Sequence, residues 1–416
     1  MRTAFHFDHT LTFDPARAEE ILKQIPTLPG VFALCGHSDT DEPYLTRTAN
    51  LRRRITRMLM PQESQTKRLN LSSRVARIEF SVTGSEFESL LLLYHATTAH
   101  FGTDAARKRL KLHTPFFIRF LEENPYPRAY ITNRLSKRAL HCFYGPFPSR
   151  AAAERYLDET LNLFKLRRCH EELAPDPAFP GCIYSEMKMC LAPCFKGCTD
   201  EQYKAEAVAV RDFFDTCGES LLAKLSAERD AASTDLDFEK AAAIHVQIEK
   251  AKSVTQLADE IVRPLTKLNA VILQPAAKSE DEIPSVALFS VEQGCISGPC
   301  LFSTLGMRVA NEQSGSTSLF AQPHMLAAVP EEPAPDQTPS QTIEERLRAV
   351  LDAKEMSGPK EMALLSDHLS LLRRWYYRPA KQRVGEIFFV EGDAPVRRIL
   401  RGISRVAAKE AGTLQN

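Results

Sequence analysis

Apolar positions change their period several times along this chain, and each change marks a predicted element. Val31, Phe32, Ala33 and Leu34 form a short apolar run after Pro29 and Gly30, and Tyr44 and Leu45 open a second, across a polar turn at 39–42. Both read as strands. Over 50–59, Leu51, Ile55 and Met58 recur at helical spacing while Arg52, Arg53, Arg54 and Arg57 fall mostly elsewhere. Residues 77–82 alternate like a strand. Ser85 then reads as a helix N-cap, with Glu88 three positions on as its capping-box partner and 90–93 as the apolar face.

Farther along, 126–168 predicts two strands and a helix that Ser149 caps. Thr199 and Gln202 form a second capping box, opening a helix expected to run to about residue 231. A polar turn at 232–235 leads to another helix, from near Asp237 to about residue 257, so the two should pack as an antiparallel hairpin. Residues 268–304 alternate in a strand-like way. Residues 343–351 and 361–377 are helical, 386–390 is a strand, and 396–408 is a basic helix. The stretch 329–341 is rich in Pro and poor in apolar residues, and reads as an extended linker. The expectation is an α/β multidomain chain: a small α/β domain at 26–105, a cysteine-rich segment at 116–200, the helical hairpin at 201–258, a strand-rich region at 259–328, the linker, and an α+β C-terminal region at 342–416.

A length of 416 residues suits two to four domains, and 44% apolar residues is enough for packed cores. Lys plus Arg and Asp plus Glu both number 53, so any nucleic-acid binding must rest on local basic clusters. No run approaches the ~20 apolar residues of a membrane span, and the first residues lack the pattern of a secretory signal, so a cytoplasmic location without membrane contact is expected. Thiols there stay reduced or bind metal. Of ten cysteines, five fall between Cys169 and Cys198; Cys35, Cys142, Cys217, Cys295 and Cys300 are scattered and read as small buried apolar residues. Cys169, Cys182, Cys190 and Cys194 are spaced C-x12-C-x7-C-x3-C. Four thiolates suit tetrahedral zinc or an iron–sulfur cluster, and the spacing alone leaves both open.

The residues around this cluster carry a family resemblance. Pro146, Phe147, Pro148 and Ser149, then 163–169 ending in Cys169, then 181–194 from Gly181 through Cys182 and Cys190 to Cys194, resemble the UvrC family, the incision component of the excinuclease of bacterial nucleotide excision repair. The resemblance implies a 4Fe-4S cluster on those four cysteines, with zinc the alternative; Cys198 is extra to the pattern. Residues 236–251 resemble the UVR motif. In the family this hairpin binds UvrB, another component of the same excinuclease, so Leu236, Phe238, Ala241, Ala242, Ile244 and Ile248 are the implied partner-binding residues, with Phe238 as the anchor.

Residues 29–60 resemble the family's GIY-YIG nuclease domain. Its catalytic positions map onto Phe32, Tyr44, Thr46, Arg47, Arg54 and Leu93. Phe32 lacks the hydroxyl of the family's first tyrosine, and Leu93 replaces the glutamate that binds the divalent metal. Glu88 lies five residues earlier on the same predicted helix, about 140° around it, and cannot stand in. Removing a metal that stabilises transition-state charge costs several kcal/mol. Neither the family's ribonuclease-H-like nuclease nor its helix-hairpin-helix pair is recognisable in 259–416. There Trp375, Tyr376 and Tyr377 among arginines read as a buried anchor sooner than a base-stacking patch. The implied function is a non-incising repair protein that binds UvrB and touches damaged DNA through Arg47, Arg52 and Arg54. The alternatives are an active Mg2+-dependent endonuclease that cuts beside lesions, or a module for a different partner.

Overall fold

The computed structural model describes residues 5–38, 41–60, 71–277, 283–305, 307, 342–352 and 361–413. The expected linker at 329–341 lies outside the described residues. The described residues are mixed α/β, with three four-stranded sheets among them, all antiparallel.

The first sheet belongs to the N-terminal unit, which runs β1 (His9–Thr12), α1 (Ala18–Lys23), β2 (Gly30–Cys35), β3 (Tyr44–Thr48), α2 (Leu51–Leu59), β4 (Arg77–Val82), α3 (Glu86–Phe101) and α4 (Thr103–Leu110). Its strand order is β1-β4-β2-β3. Side chains alternate across β2. Phe32 and Leu34 pack with Ile21, Leu51 and Ile55 on one face, while Val31 and Ala33 pack with Leu93 and Ala96 of α3 on the other. The unbroken apolar run of β2 is thus a strand covered on both sides. Asn50 caps α2 by accepting from the Arg53 amide at 2.9 Å. Ser85 caps α3 through the Glu88 amide at 3.1 Å. The expected return bond is displaced by one residue: the Glu88 carboxylate accepts from the Gly84 amide at 2.8 Å.

The second sheet follows β5 (Phe116–Leu121), β6 (Arg128–Thr132) and β7 (Phe143–Phe147), with α5 (Arg150–Leu161) capped by Ser149 as expected. The chain then passes through the cysteine segment, which holds the four-residue α6 (Ile183–Glu186) and a 3-10 turn at Pro193–Phe195, to α7 (Asp200–Asp215), α8 (Glu219–Thr234), α9 (Phe238–Thr255) and β8 (Arg263–Pro264). The order is β6-β5-β7-β8. The single helix expected from Thr199 to about 231 is two helices. Cys217 (φ 52°) and Gly218 (φ 95°) both enter the left-handed region, and the Gly218 amide closes the turn on the Phe213 carbonyl at 2.7 Å. A Cβ at Gly218 would lie 2.3 Å from Thr255 Cγ2, so contact with α9 also demands glycine there. Cys217, expected to be buried, is exposed on this turn.

The third sheet joins β9 (Ala270–Pro275), β10 (Ser285–Glu292) and β11 (Cys295–Ser303) to β12 (Glu386–Phe389), which follows α10 (Ile343–Asp352) and α11 (Met362–Tyr376) and precedes α12 (Val396–Thr413). Its order is β11-β10-β9-β12. The regions on either side of the linker therefore share one sheet. α10 and α12 cover one face, around Leu347, Ile399 and Ile403. The other face joins a core that also takes in Leu365, Leu369 and Trp375 of α11, Phe117 of β5, and Phe87 and Leu91 of α3. Helix α11 is thus the seam of the molecule. Trp375 is buried and donates from Nε1 to the Val384 carbonyl, and Tyr377 donates to the Pro146 carbonyl, so the aromatic run is an anchor. Asp367 accepts from Tyr94 Oη at 3.0 Å and from Arg107 Nε at 2.6 Å. No helix among the described residues is long and apolar enough to cross a membrane.

Candidate functional site

The α8–α9 hairpin divides its apolar residues between two faces. Leu225, Ala232, Ile244, Ile248 and Ala251 are buried between the helices. Leu236, Phe238 and Val246 are 73%, 66% and 68% exposed. Phe238, Ala242 and Val246 recur every four residues and line one stripe along α9. Leu236 sits in the turn before α9 with φ 59°, a conformation that is uncommon for a leucine and costs of order 1 kcal/mol. Asp237 caps the helix by accepting from the Lys240 amide. Of the residues expected to meet a partner, Leu236, Phe238 and Ala242 lie on the exposed face, Ala241 is half-buried, and Ile244 and Ile248 hold the hairpin together. Val246 joins the stripe although sequence reading missed it; its place eight residues after Phe238 was the available signal.

The nuclease-like positions divide between the two faces of the first sheet. Phe32 is fully buried, with the exposed Tyr44 ring 6.3 Å away, and Thr46 is its cross-strand neighbour. Arg47 opposes Val31 and so lies on the other face of the sheet, where it pairs with Glu86 at 2.8 Å. Leu93 is buried on that second face among Phe7, Val31, Ala33 and Ala96. Arg52 donates to the Ile25 and Lys23 carbonyls at 2.6 and 2.9 Å, tying down the end of α1. Arg54 is half-exposed, and its guanidinium has no partner among the described residues. Glu88 is held at the start of α3 by its bond to Gly84, and burial pushes its carboxyl up to about 7.

The cysteine segment lies between α5 and α7, pinned by few but specific contacts. The buried Arg167 donates from Nε to the Tyr126 carbonyl at 2.8 Å and from Nη1 to the Glu171 carbonyl at 2.9 Å, with Cys169 Sγ at 3.5 Å from the same Nη1. The Asp176 amide reaches the Cys194 carbonyl, and the Leu191 amide the Lys165 carbonyl. Cys190 Sγ accepts from the Ala192 amide at 3.3 Å. Burial raises the Cys190 thiol to about 11, and the neighbouring Cys169, Cys182 and Cys194 add to this, so the four sulfurs lie close enough to repel one another as thiolates. Among the described residues, no three of them come within 4.8 Å of one another. Tetrahedral zinc at about 2.3 Å from each sulfur needs thiolates about 3.8 Å apart. Four soft thiolate donors beside an arginine suit zinc or an iron–sulfur cluster. Elsewhere, Glu122, His141 and Cys142 bring three potential ligand atoms within 4.8 Å, but Arg211 already pairs with Glu122 there.

Comparison with known proteins bears on these segments. Residues 116–213 match the family model of the UvrC/Cho excinuclease middle domain, and residues 219–254 match the UvrB/UvrC motif. The UvrABC system protein C of Actinobacillus succinogenes is 30% identical over 244 residues, covering 58% of this chain and 39% of that protein. That of Idiomarina loihiensis is 26% identical over 241 residues, covering 56% and 37%. That of Aliivibrio fischeri is 27% identical over 285 residues, covering 68% and 45%. The chain spans about two fifths of the length of the curated relatives it matches. No solved structure matches it. The chain is thus similar to UvrABC system protein C through a middle-domain match that contains all five clustered cysteines and a UVR-motif match that coincides with the α8–α9 hairpin.

Proposed function

We propose that this chain is a nucleotide-excision-repair protein that docks UvrB through α8–α9 and engages damaged DNA without incising it. The observation that carries the reading is the exposed stripe of Leu236, Phe238 and Val246. None of these three side chains belongs to the buried cluster of the hairpin, and large exposed apolar residues grouped on one surface mark a binding site. A second hairpin laid against the stripe would complete a four-helix bundle.

The N-terminal unit supports the absence of incision. Leu93 offers no lone pair to a metal, and its side chain is packed among Phe7, Val31, Ala33 and Ala96. Phe32 and Leu93 face opposite sides of β2, so restoring one group would not assemble a site with the other. Cys169, Cys182, Cys190 and Cys194 are the residues that would hold a 4Fe-4S cluster. When bound, the cluster would tie together a segment with little regular structure and supply a one-electron couple. Arg167 and the Ala192 amide would orient two of the thiolates.

The test uses protein purified anaerobically, with UvrA and UvrB, ATP, Mg2+ and an end-labelled duplex carrying one bulky lesion. The incising UvrC of the same cell is omitted in one arm and added in another. The expected results are direct binding to UvrB, no nick without the incising UvrC, and altered cutting when it is present. A discrete nick without it refutes the non-incising reading, and failure to bind UvrB refutes the docking reading. Iron and acid-labile sulfide in stoichiometric amounts, lost in Cys190→Ser, test the cluster separately.

A further inference from the structure

The seam between the N-terminal unit and α11 collects arginines in a way that neither the hairpin nor the cysteine segment explains. Arg47 of β3 and Arg378, just past α11, share a single carboxylate. Arg47 reaches Glu86 Oε1 at 2.8 Å, and Arg378 makes a two-pronged contact to both Glu86 oxygens. The hydrogen bond from Arg378, and then that from Arg47, holds the Glu86 carboxyl down to about 2 against the opposing effect of burial. Arg374 packs beside them, with its guanidinium on the Leu110 and Lys111 carbonyls at the end of α4. Burial, and then the neighbouring Arg373, Arg47 and Arg378, disfavours its charge. Lys111 adds an exposed cation on the same seam.

Two guanidinium groups therefore share one carboxylate, and a third, that of Arg374, lies near them without a carboxylate of its own. Half-exposed ion pairs contribute little to stability, so stapling two units together does not account for placing like charges this close. An anion from outside would relieve the repulsion. Guanidinium pairs match phosphate oxygens in fork geometry. Arg47, Arg378 and Glu86 are all partly open to solvent, which suits the backbone of a polymer passing over the surface better than a small molecule enclosed in a pocket.

We infer that Arg47, Arg374 and Arg378 form a contact site for the phosphodiester backbone of a nucleic acid, with Glu86 as an internal counterion that a phosphate displaces. The inference deepens the DNA-binding part of the proposed function. It moves the contact from α2, where Arg52 is tied to α1, to the seam with α11.

The test is fluorescence anisotropy of the full chain with a labelled duplex, repeated across a salt series from about 50 to 200 mM. Arg378→Ala and Arg47→Ala should each weaken binding on the order of tenfold at the low-salt end and make the salt slope shallower by about one. Glu86→Gln should tighten binding severalfold, because the competing carboxylate charge is gone. If instead Glu86→Gln weakens binding or leaves it unchanged while the melting temperature falls, the arginines are only a staple and the inference is overturned. Should an alanine variant fail to fold, Arg378→Lys keeps the charge without the fork and should bind between wild type and alanine. Inorganic phosphate should compete no better than chloride of equal ionic strength; stronger displacement would overturn the polymer contact in favour of a discrete anion site. Binding to UvrB, measured on the same preparations, should not change, so a failure here is distinct from a failure of the hairpin reading.

Discussion

Truncating Phe238 to alanine separates a docking surface from a hairpin core, because the same helix carries both. A phenylalanine side chain presents roughly 150–250 Å2, and Phe238 is 66% exposed. Docking that covers it would remove on the order of 100 Å2 or more from water, worth about 2.5 kcal/mol at ~25 cal/mol/Å2. The expected loss is roughly 60-fold in Kd for UvrB, with unfolding free energy changed by less than about 1 kcal/mol. Ile248→Ala provides the contrast. Ile248 is buried between α8 and α9, so its truncation should cost about 2–5 kcal/mol of stability and weaken docking only through the loosened hairpin. Calorimetric titration against UvrB gives the first quantity, and urea unfolding the second. If Phe238→Ala leaves the affinity intact while lowering stability as Ile248→Ala does, the stripe is not the docking face and the reasoning from exposure fails.

Three other outcomes follow from buried groups. Burial raises Glu88 from 4.5 to about 7, with Asp8 adding to the shift; the stability of its protonated form is complete below about pH 4.5 and is lost as pH rises through 7. Glu88→Gln should therefore stabilise the protein at pH 8, by at most about 3 kcal/mol, and not at pH 4.5, in thermal melts at both values. His368 moves the other way: burial, and then the neighbouring His95, lowers it to about 3, so stability present above pH 6.5 is lost as pH falls toward 3. Its Nδ1 accepts from the Ile296 amide, and His368→Asn keeps an acceptor there, so the variant should show a flatter urea midpoint between pH 6.5 and 4; an unchanged slope would count against the assignment. Leu93→Glu, which restores the family's carboxylate, should cost several kcal/mol in an apolar cluster and yield no Mg2+-dependent nick, because Phe32 lies on the far side of β2; nicking by this variant would show that the two positions do converge.

Local features of this chain were legible in its sequence. The caps at Ser85, Ser149 and Thr199 and the alternation of β4 depend on residues a few positions apart, and the chemistry of a helix start is written within one turn. The cysteine spacing and the UVR pattern were legible for the same reason, and they fall inside the segments that match the family. The break at Cys217 and Gly218 was not, because apolar periodicity carries on across it and the need for glycine comes from Thr255, far along the chain. The sequence named Arg47, Arg52 and Arg54 as one basic group; only packing separated them, sending Arg52 to the end of α1 and Arg47 to Glu86 on the opposite face of the sheet. Periodicity placed Ile244, Ile248 and Phe238 on an apolar helix, but which of them meet α8 and which face solvent depends on where α8 sits. The pairing of β12 with β9 and the meeting of α3, α4 and α11 at the seam are contacts between residues 100 or more positions apart. A one-dimensional pattern specifies which side of an element is apolar; which neighbour covers that side, and which charges then confront one another, is decided only when the elements compete for the same buried surface.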